Sequence, residues 1–357
     1  MARWWKICLA SAAVAMMGLG NAARAQVRID ASGATFPAPL YAAWVEAYKK
    51  DHPNVNINYQ AIGSGGGISA ITARTVQFAA SDAPLTAAQE GALPKEGDKA
   101  AKILHLPTVA GPAVLIYNLP AVKKLKLNGE LVGDIFLGKV KTWNDAKIKA
   151  LNAAADLPED PIVTVHRSDG SGTTFIFTDY LSKISPEWMQ KIGNATAVQW
   201  PGGQAQKGSD GIAAAVKGAE NTIGYVEYAY AVKNKIPFAT LVNKDGKEVE
   251  ASVESVNAAA ESQLKQFPED MKVSIVNAGG AGSYPICGFT YLLVYEDVSF
   301  IKDKEKATEM LNFILWCETK GQGMAAGLGY SALPKDAQDK VVAKLKTVKF
   351  NGEVLLK

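Results

Sequence analysis

From residue 26 onward the chain alternates short strand-like stretches with helix-like ones, and this alternation limits its possible folds more than any other feature. Val55, Ile57 and Tyr59 alternate with asparagines, the period of a half-buried strand. Ile68, Ile71 and Thr72 then share one helical face, and Val76–Ala80 returns to extended character. Earlier, Leu40, Tyr41, Trp44, Val45 and Tyr48 recur at amphipathic-helix spacing behind Pro37 and Pro39, as helix starts often do. Ala113–Tyr117 and Ile162–Val165 read as buried strands. Phe177, Tyr180, Leu181 and Ile184 mark a helix, as do Met310, Leu311, Ile314 and Leu315. Interleaving of this kind predicts an α/β architecture. There is no fixed-period repeat, and Lys340, Lys344 and Lys346 read as the solvated face of a helix.

At 357 residues the chain is long enough for two domains or lobes, which makes a cleft between them a candidate site. Residues 1–25 are set apart from the fold. They carry Arg3 and Lys6, an apolar run of 13 residues from Ile7 to Leu19, and Ala23-Arg24-Ala25, the layout of a secretory signal peptide cleaved before Gln26. The run is short of the ~20 residues that span a bilayer. Without this segment, which holds three basic residues and no acidic ones, the chain balances 35 basic against 35 acidic groups. A neutral protein lacks the field that gathers a polyanion, so nucleic acid is excluded as the main partner. Any small anion must be held by local dipoles and placed side chains.

Three turns supply such dipoles. They are Gly33-Ala34-Thr35-Phe36, Gly63-Ser64-Gly65-Gly66-Gly67, and Arg167-Ser168-Asp169-Gly170-Ser171-Gly172-Thr173, each leading into a helix. At a helix N-terminus the first N–H groups are unpaired and the macrodipole presents ~+0.5 charge, which stabilises an oxyanion. One such turn is ordinary capping chemistry; three, one of them with an arginine, point to a shared anion site.

Catalytic patterns are missing from the same turns. Neither glycine turn continues into the lysine of a Walker motif, and neither Ser64 nor Ser171 sits in G-x-S-x-G. His52 in a polar turn, His105 in an apolar strand and His166 beside Arg167 read as structural. No cysteine spacing suggests zinc, and no metal or cofactor is expected. Cys8 lies in the leader; Cys287 and Cys317 read equally well as a disulfide in an oxidising compartment or as two buried free thiols.

The segments GATFPAPLYAAW, AIGSGGGI, AASDAPL, HRSDGSGTTFIF, GSDGIAAAV, IGYVEYAYAV and LGYSALP occur in this order from about Ile29 to the C-terminal region. Together they resemble the periplasmic phosphate-binding proteins of high-affinity phosphate ABC transporters. The resemblance implies a two-lobed type II periplasmic binding protein, each lobe a mixed sheet flanked by helices, with two hinge strands joining them. Lobe I would comprise residues 26–109 and 258–357, and lobe II residues 110–257. The implied phosphate ligands are Thr35, Phe36, Ser64 and Asp82 from lobe I, and Arg167, Ser171, Gly172 and Thr173 from lobe II. Asp169 would orient Arg167 without touching the ligand. The departures are an additional glycine at Gly66 and two cysteines that not every member shares.

These residue types favour phosphate over sulfate. Phosphate keeps at least one P–OH proton near neutrality and sulfate keeps none; an ionised Asp82 only accepts, so it bonds the first and repels the second. Taken with the resemblance, the expected function is capture of inorganic phosphate between two lobes by a periplasmic, monomeric, non-enzymatic protein. An ABC transporter permease in the inner membrane would then receive the ion. The alternative is a secreted phosphoester-processing enzyme that retains phosphate in the same cradle, which would need a nucleophile with a base, or a metal cluster.

Overall fold

The computed structural model describes residues 26–96, 99–263 and 267–357; the expected leader at 1–25, with Cys8, lies outside them. Nine strands form the main sheet: β1 (Val27–Gly33), β2 (Val55–Ala61), β3 (Phe78–Ser81), β4 (Ile103–Asn118), β5 (Val163–Arg167), β6 (Gln204–Gln206), β7 (Thr222–Glu227), β8 (Cys287–Tyr295) and β9 (Ser331–Ala332). Their order is β2-β1-β3-β8-β4-β7-β5-β6, with β9 paired to β4 off this path. β2, β1 and β3 run parallel at one end, and β7, β5 and β6 at the other; β8 and β4 join them through antiparallel pairings. The helices that matter to the site are α1 (Ala38–Asp51), α2 (Ser64–Thr72), α3 (Gly172–Ile184), α4 (Gly208–Gly218), α5 (Tyr228–Asn234) and α6 (Lys304–Glu318).

β4 belongs to both halves. Pro112 lies opposite Cys287 of β8, and Ala113 lies opposite Glu227 of β7, so the strand changes partner between these two residues. The returning chain passes the same point, where Ile286 O accepts from Ala113 N–H at 2.8 Å. Every residue from Leu104 to Tyr117 is buried. A strand covered on both faces shows a continuous apolar run instead of alternation. The apolar strand read at His105 and the one read at Ala113–Tyr117 are thus one continuous strand, whose continuity Pro107 and Pro112 mask. Pro107 sits where the register with β8 shifts between Thr290 and Tyr291, a place where a missing N–H is tolerated.

Local chemistry sets the helices at the end nearest the site. α1 starts behind Pro37, buries Leu40, Tyr41, Trp44 and Tyr48, and ends with Lys49 and Lys50 in the last turn, where cations suit the dipole. α3 is capped by Ser171, whose Oγ accepts from Thr174 N–H at 3.1 Å. Among the described residues no helix is long and apolar enough to cross a membrane.

Of the two readings of the cysteine pair, the structure fits the free thiols. Cys287 and Cys317 are free buried thiols. Cys317 lines one small cavity with Trp44, Phe78 and Leu292, whereas Cys287 opens β8. Five residue steps along the strand separate it from Leu292, ~17 Å at ~3.4 Å per residue, whereas a bridge needs Cα atoms within ~7 Å. Cys287 Sγ instead donates to Tyr284 O at 3.2 Å, and burial pushes its thiol up to about 12.

Candidate functional site

β1, β2, β3 and β5 all point their carboxyl ends toward the seam, so the turns that follow them meet there. This is where α/β sheets collect ligands, because helix N-termini and exposed turn N–H groups gather at that edge. Ser64, fully buried at the start of α2, accepts through Oγ from Asp82 N–H at 3.2 Å and from Gly172 N–H at 3.1 Å. A second link runs from Gly65 N–H to Gly170 O at 2.8 Å. The turns of the two halves are thus hydrogen-bonded to each other. Only glycine suits position 172: a Cβ there would lie 2.5 Å from both Ser64 Oγ and Asp82 Cβ.

Arg167 ends β5 with its side chain 2% exposed. Its Nε and Nη2 donate to the two oxygens of Asp169 at 2.7 and 2.5 Å, and Nη1 donates to Thr35 Oγ1 at 3.2 Å. A guanidinium has five N–H groups in a planar fork, so each terminal nitrogen keeps one for another acceptor. Burial pulls Asp169 upward, but the hydrogen bonds and charge of Arg167 outweigh it and hold the carboxyl below its usual range. Asp169 also accepts from Gly208 N–H at 3.0 Å, which ties the start of α4 to the same cluster. Thr35 Oγ1 lies 2.8 Å from Ser209 Oγ, so the first turn reaches across to α4.

Asp82 follows β3 and is 3% exposed. Thr290 Oγ1 donates to its Oδ1 at 2.7 Å; Oδ2 is buried with no hydrogen-bond partner among the described residues. Burial raises the carboxyl to about 7, against the opposing pull of Thr290, Arg167 and Ser64. Thr173 Oγ1, on the first turn of α3, is likewise buried without a partner among the described residues. A buried oxygen left unpaired costs ~1–3 kcal/mol, so two beside a guanidinium with unused donors mark a place built for a further polar group. That group must offer a hydrogen to Asp82 when the carboxyl is ionised, and acceptors to Arg167 and the turn N–H groups.

The structure brings Thr35, Ser64, Asp82, Arg167, Asp169, Gly172 and Thr173 together. Ser171 lies at the same turn, but its hydroxyl is occupied in capping α3. Phe36 contributes backbone: its ring is buried against Gly111 and Tyr330, and its carbonyl accepts from Tyr330 OH at 2.7 Å. Thr290, Ser209 and Tyr225 are not among the expected residues. Ser209 lies in the GSDG run and carries a signal; Thr290 and Tyr225, which bonds Arg167 N–H at 3.2 Å, lie inside strands and carry none. The histidines have ordinary structural partners. His52 stacks on Tyr48, His166 stacks on Trp200, and His105 Nε2 accepts from Leu85 N–H at 3.0 Å, its value lowered by burial to about 4.

A family profile described as the PBP superfamily domain matches residues 20–318. The phosphate-binding protein PstS of Pasteurella multocida is 42% identical over 325 residues, covering 89% of this chain and 90% of that protein. PstS of Methanocaldococcus jannaschii is 39% identical over 326 residues, covering 86% and 83%. Among solved structures, a phosphate-binding protein from Stenotrophomonas maltophilia superposes with a TM-score of 0.68 at 20% identity, covering 88% of this chain and 93% of that one; it speaks for the fold.

Proposed function

Because the chain belongs to the phosphate-binding proteins of the PBP superfamily, we propose that it captures inorganic phosphate between two lobes and hands it to an ABC transporter permease. The lobes in this reading are residues 26–109 with 258–357, and 110–257, hinged where β4 changes partner. Thr35, Phe36, Ser64 and Asp82 line one side, and Arg167, Ser171, Gly172 and Thr173 the other.

The observation that carries the reading is Asp82 Oδ2, buried and unpartnered among the described residues, opposite a guanidinium that Asp169 holds in place. A cradle of N–H and hydroxyl donors alone would take any oxyanion. One acceptor-only oxygen among them asks for an anion that still carries hydrogen, which phosphate does and sulfate does not. Sites that recognise a group by a buried hydrogen bond reject the analogue lacking it, here for as long as Asp82 is ionised. Closure around the ion excludes water and presents one shape for the permease to recognise. No bond of the ion is made or broken in this cycle, and the protein works in the periplasm as a monomer.

The test is native mass spectrometry of the protein as purified, followed by calorimetry in phosphate-stripped buffer. Retained phosphate and tight, sulfate-insensitive binding are expected. Sustained turnover of a chromogenic phosphoester, or equal affinity for sulfate well above pH 7, overturns the proposal.

A further inference from the structure

The phosphate cradle leaves two of the resemblance motifs without a task, IGYVEYAYAV and LGYSALP, and these meet across the seam. Glu227 is fully buried at the end of β7, opposite Ala113 where β4 changes partner. Its Oε2 accepts from Ala229 N–H at 2.9 Å and lies 3.0 Å from the Tyr330 hydroxyl; its Oε1 has no partner among the described residues. The Tyr330 hydroxyl is also 2.7 Å from Phe36 O, and the Tyr230 hydroxyl donates to Thr35 O at 2.7 Å. The motifs interlock by shape as well: Gly329, at φ +84°, packs so closely on Tyr228 that a Cβ would be 2.7 Å from Cδ1 of the ring.

Two consecutive carbonyls of the ligand turn are therefore held by tyrosines from these motifs. In a trans peptide the C=O and N–H of one unit point in opposite directions, so fixing Thr35 O on Tyr230 also fixes the direction of Phe36 N–H. A tyrosine hydroxyl has one hydrogen. Phe36 O only accepts, so the 2.7 Å contact uses that hydrogen, and the contact of Tyr330 with Glu227 is filled only when Glu227 donates. The titratable groups facing Glu227 are Asp82 from the turn after β3, Tyr330 before β9 and Tyr230 on α5. None is a cation. Burial raises the carboxyl well above its ordinary range, and the field of Asp82 adds to the effect.

We propose that Glu227, Tyr230 and Tyr330 are positioning residues that latch the closed lobes: a protonated Glu227 holds Tyr330, and the two tyrosines fix the Thr35–Phe36 peptides against the bound ion. This rests on the phosphate-capture reading. The latch forms after capture, so its removal acts on release.

Stopped-flow and calorimetric measurements with phosphate test it on the whole protein. Tyr230→Phe speeds release by roughly three- to tenfold, the loss of one neutral hydrogen bond, and Tyr330→Phe, which loses its contacts with both Phe36 O and Glu227, by at least as much, with the association rate unchanged. Glu227→Ala does the same, and Glu227→Gln, whose amide still donates to Tyr330, restores part of the loss. Difference infrared spectra show a protonated-carboxyl band above neutral pH that Glu227→Gln removes. If Glu227→Ala does not fold, the tyrosine variants and the infrared band decide. Wild-type release rates in both tyrosine variants, or absence of the band, overturn the latch. Failure of the wild-type protein itself to bind phosphate overturns the capture reading instead.

Discussion

Lowering the pH is expected to admit sulfate to the cleft while leaving phosphate binding nearly unchanged. Asp82 Oδ2 is an acceptor there without a donor among the described residues, and its carboxyl sits at about 7. Sulfate has only lone pairs to present, so it binds when Asp82 is protonated, taking up one proton per ion. Above about 7 its dissociation constant should therefore rise tenfold per pH unit, and below about 7 it should level off. At pH ~8.5 the protonation step costs about 2 kcal/mol, roughly a thirtyfold weakening, and at pH ~5.5 almost nothing. Phosphate brings its own proton, so its curve stays flat across the same window. Asp82→Asn replaces the titrating acceptor by an amide with both a donor and an acceptor; its sulfate curve should be flat and its preference for phosphate largely lost. Calorimetry of both ions, with both proteins, over this pH range is the assay. A flat sulfate curve in the wild type, or an Asp82→Asn variant that still excludes sulfate, refutes the reasoning.

Asp82 also enters stability. Its value in the folded chain lies above the ordinary 3.8, so the ionised form is penalised by burial: the cost is absent below about 4, grows through the interval, and is complete above about 7. Asp82→Asn should thus raise the melting temperature of phosphate-free protein above neutrality, with an upper bound of about 4 kcal/mol, and the two curves should converge in acid; parallel curves at every pH contradict this. Arg167→Ala removes two charge-assisted donors and should weaken phosphate binding by at least about a hundredfold, and lysine should not restore it because it lacks the planar fork. Gly172→Ala places a methyl 2.5 Å from Ser64 Oγ, which should hold the lobes apart and weaken calorimetric phosphate binding by more than about tenfold, overpacking at ~1–3 kcal/mol. Alkylation without reductant should label neither Cys287 nor Cys317 in the native protein and both after denaturation, read as mass shifts; an unlabelled denatured protein would restore the bridge.

The turns are readable from the sequence because helix N-terminal chemistry is local. Ser171, Gly172 and Thr173 stand side by side in the chain and act within one turn of α3, and the same is true of Ser64 at α2. What the sequence hides is register. Thr290 meets Asp82 across a sequence separation of 208 and Ser209 meets Thr35 across 174, and no spacing within either segment announces those pairings. The cysteines stay open between two readings for the same reason: a strand and a helix that pack together can still place two of their residues far apart. β4 is legible only as two pieces, at His105 and at Ala113–Tyr117, because its two prolines read as breaks, yet its passage through the seam is what sets both halves in register.

Register also explains why Asp82 and Glu227, two buried acids facing one seam, can serve different ends. The pairing of β3 with β8 brings Thr290 Oγ1 to Asp82, a donor that favours the ionised form. The pairing of β7 with β4 puts Glu227 in reach of Tyr330 at full burial, and the burial, with the field of Asp82, favours the neutral acid. In the proposed reading one carboxyl accepts from the ion and the other donates to the latch. Removing the donor at the first, by Thr290→Val, should therefore move the break in the sulfate curve to higher pH. Release of phosphate through the second should stay as it was. A Thr290→Val protein whose sulfate curve keeps the wild-type break would show that the register of β8 does not govern Asp82.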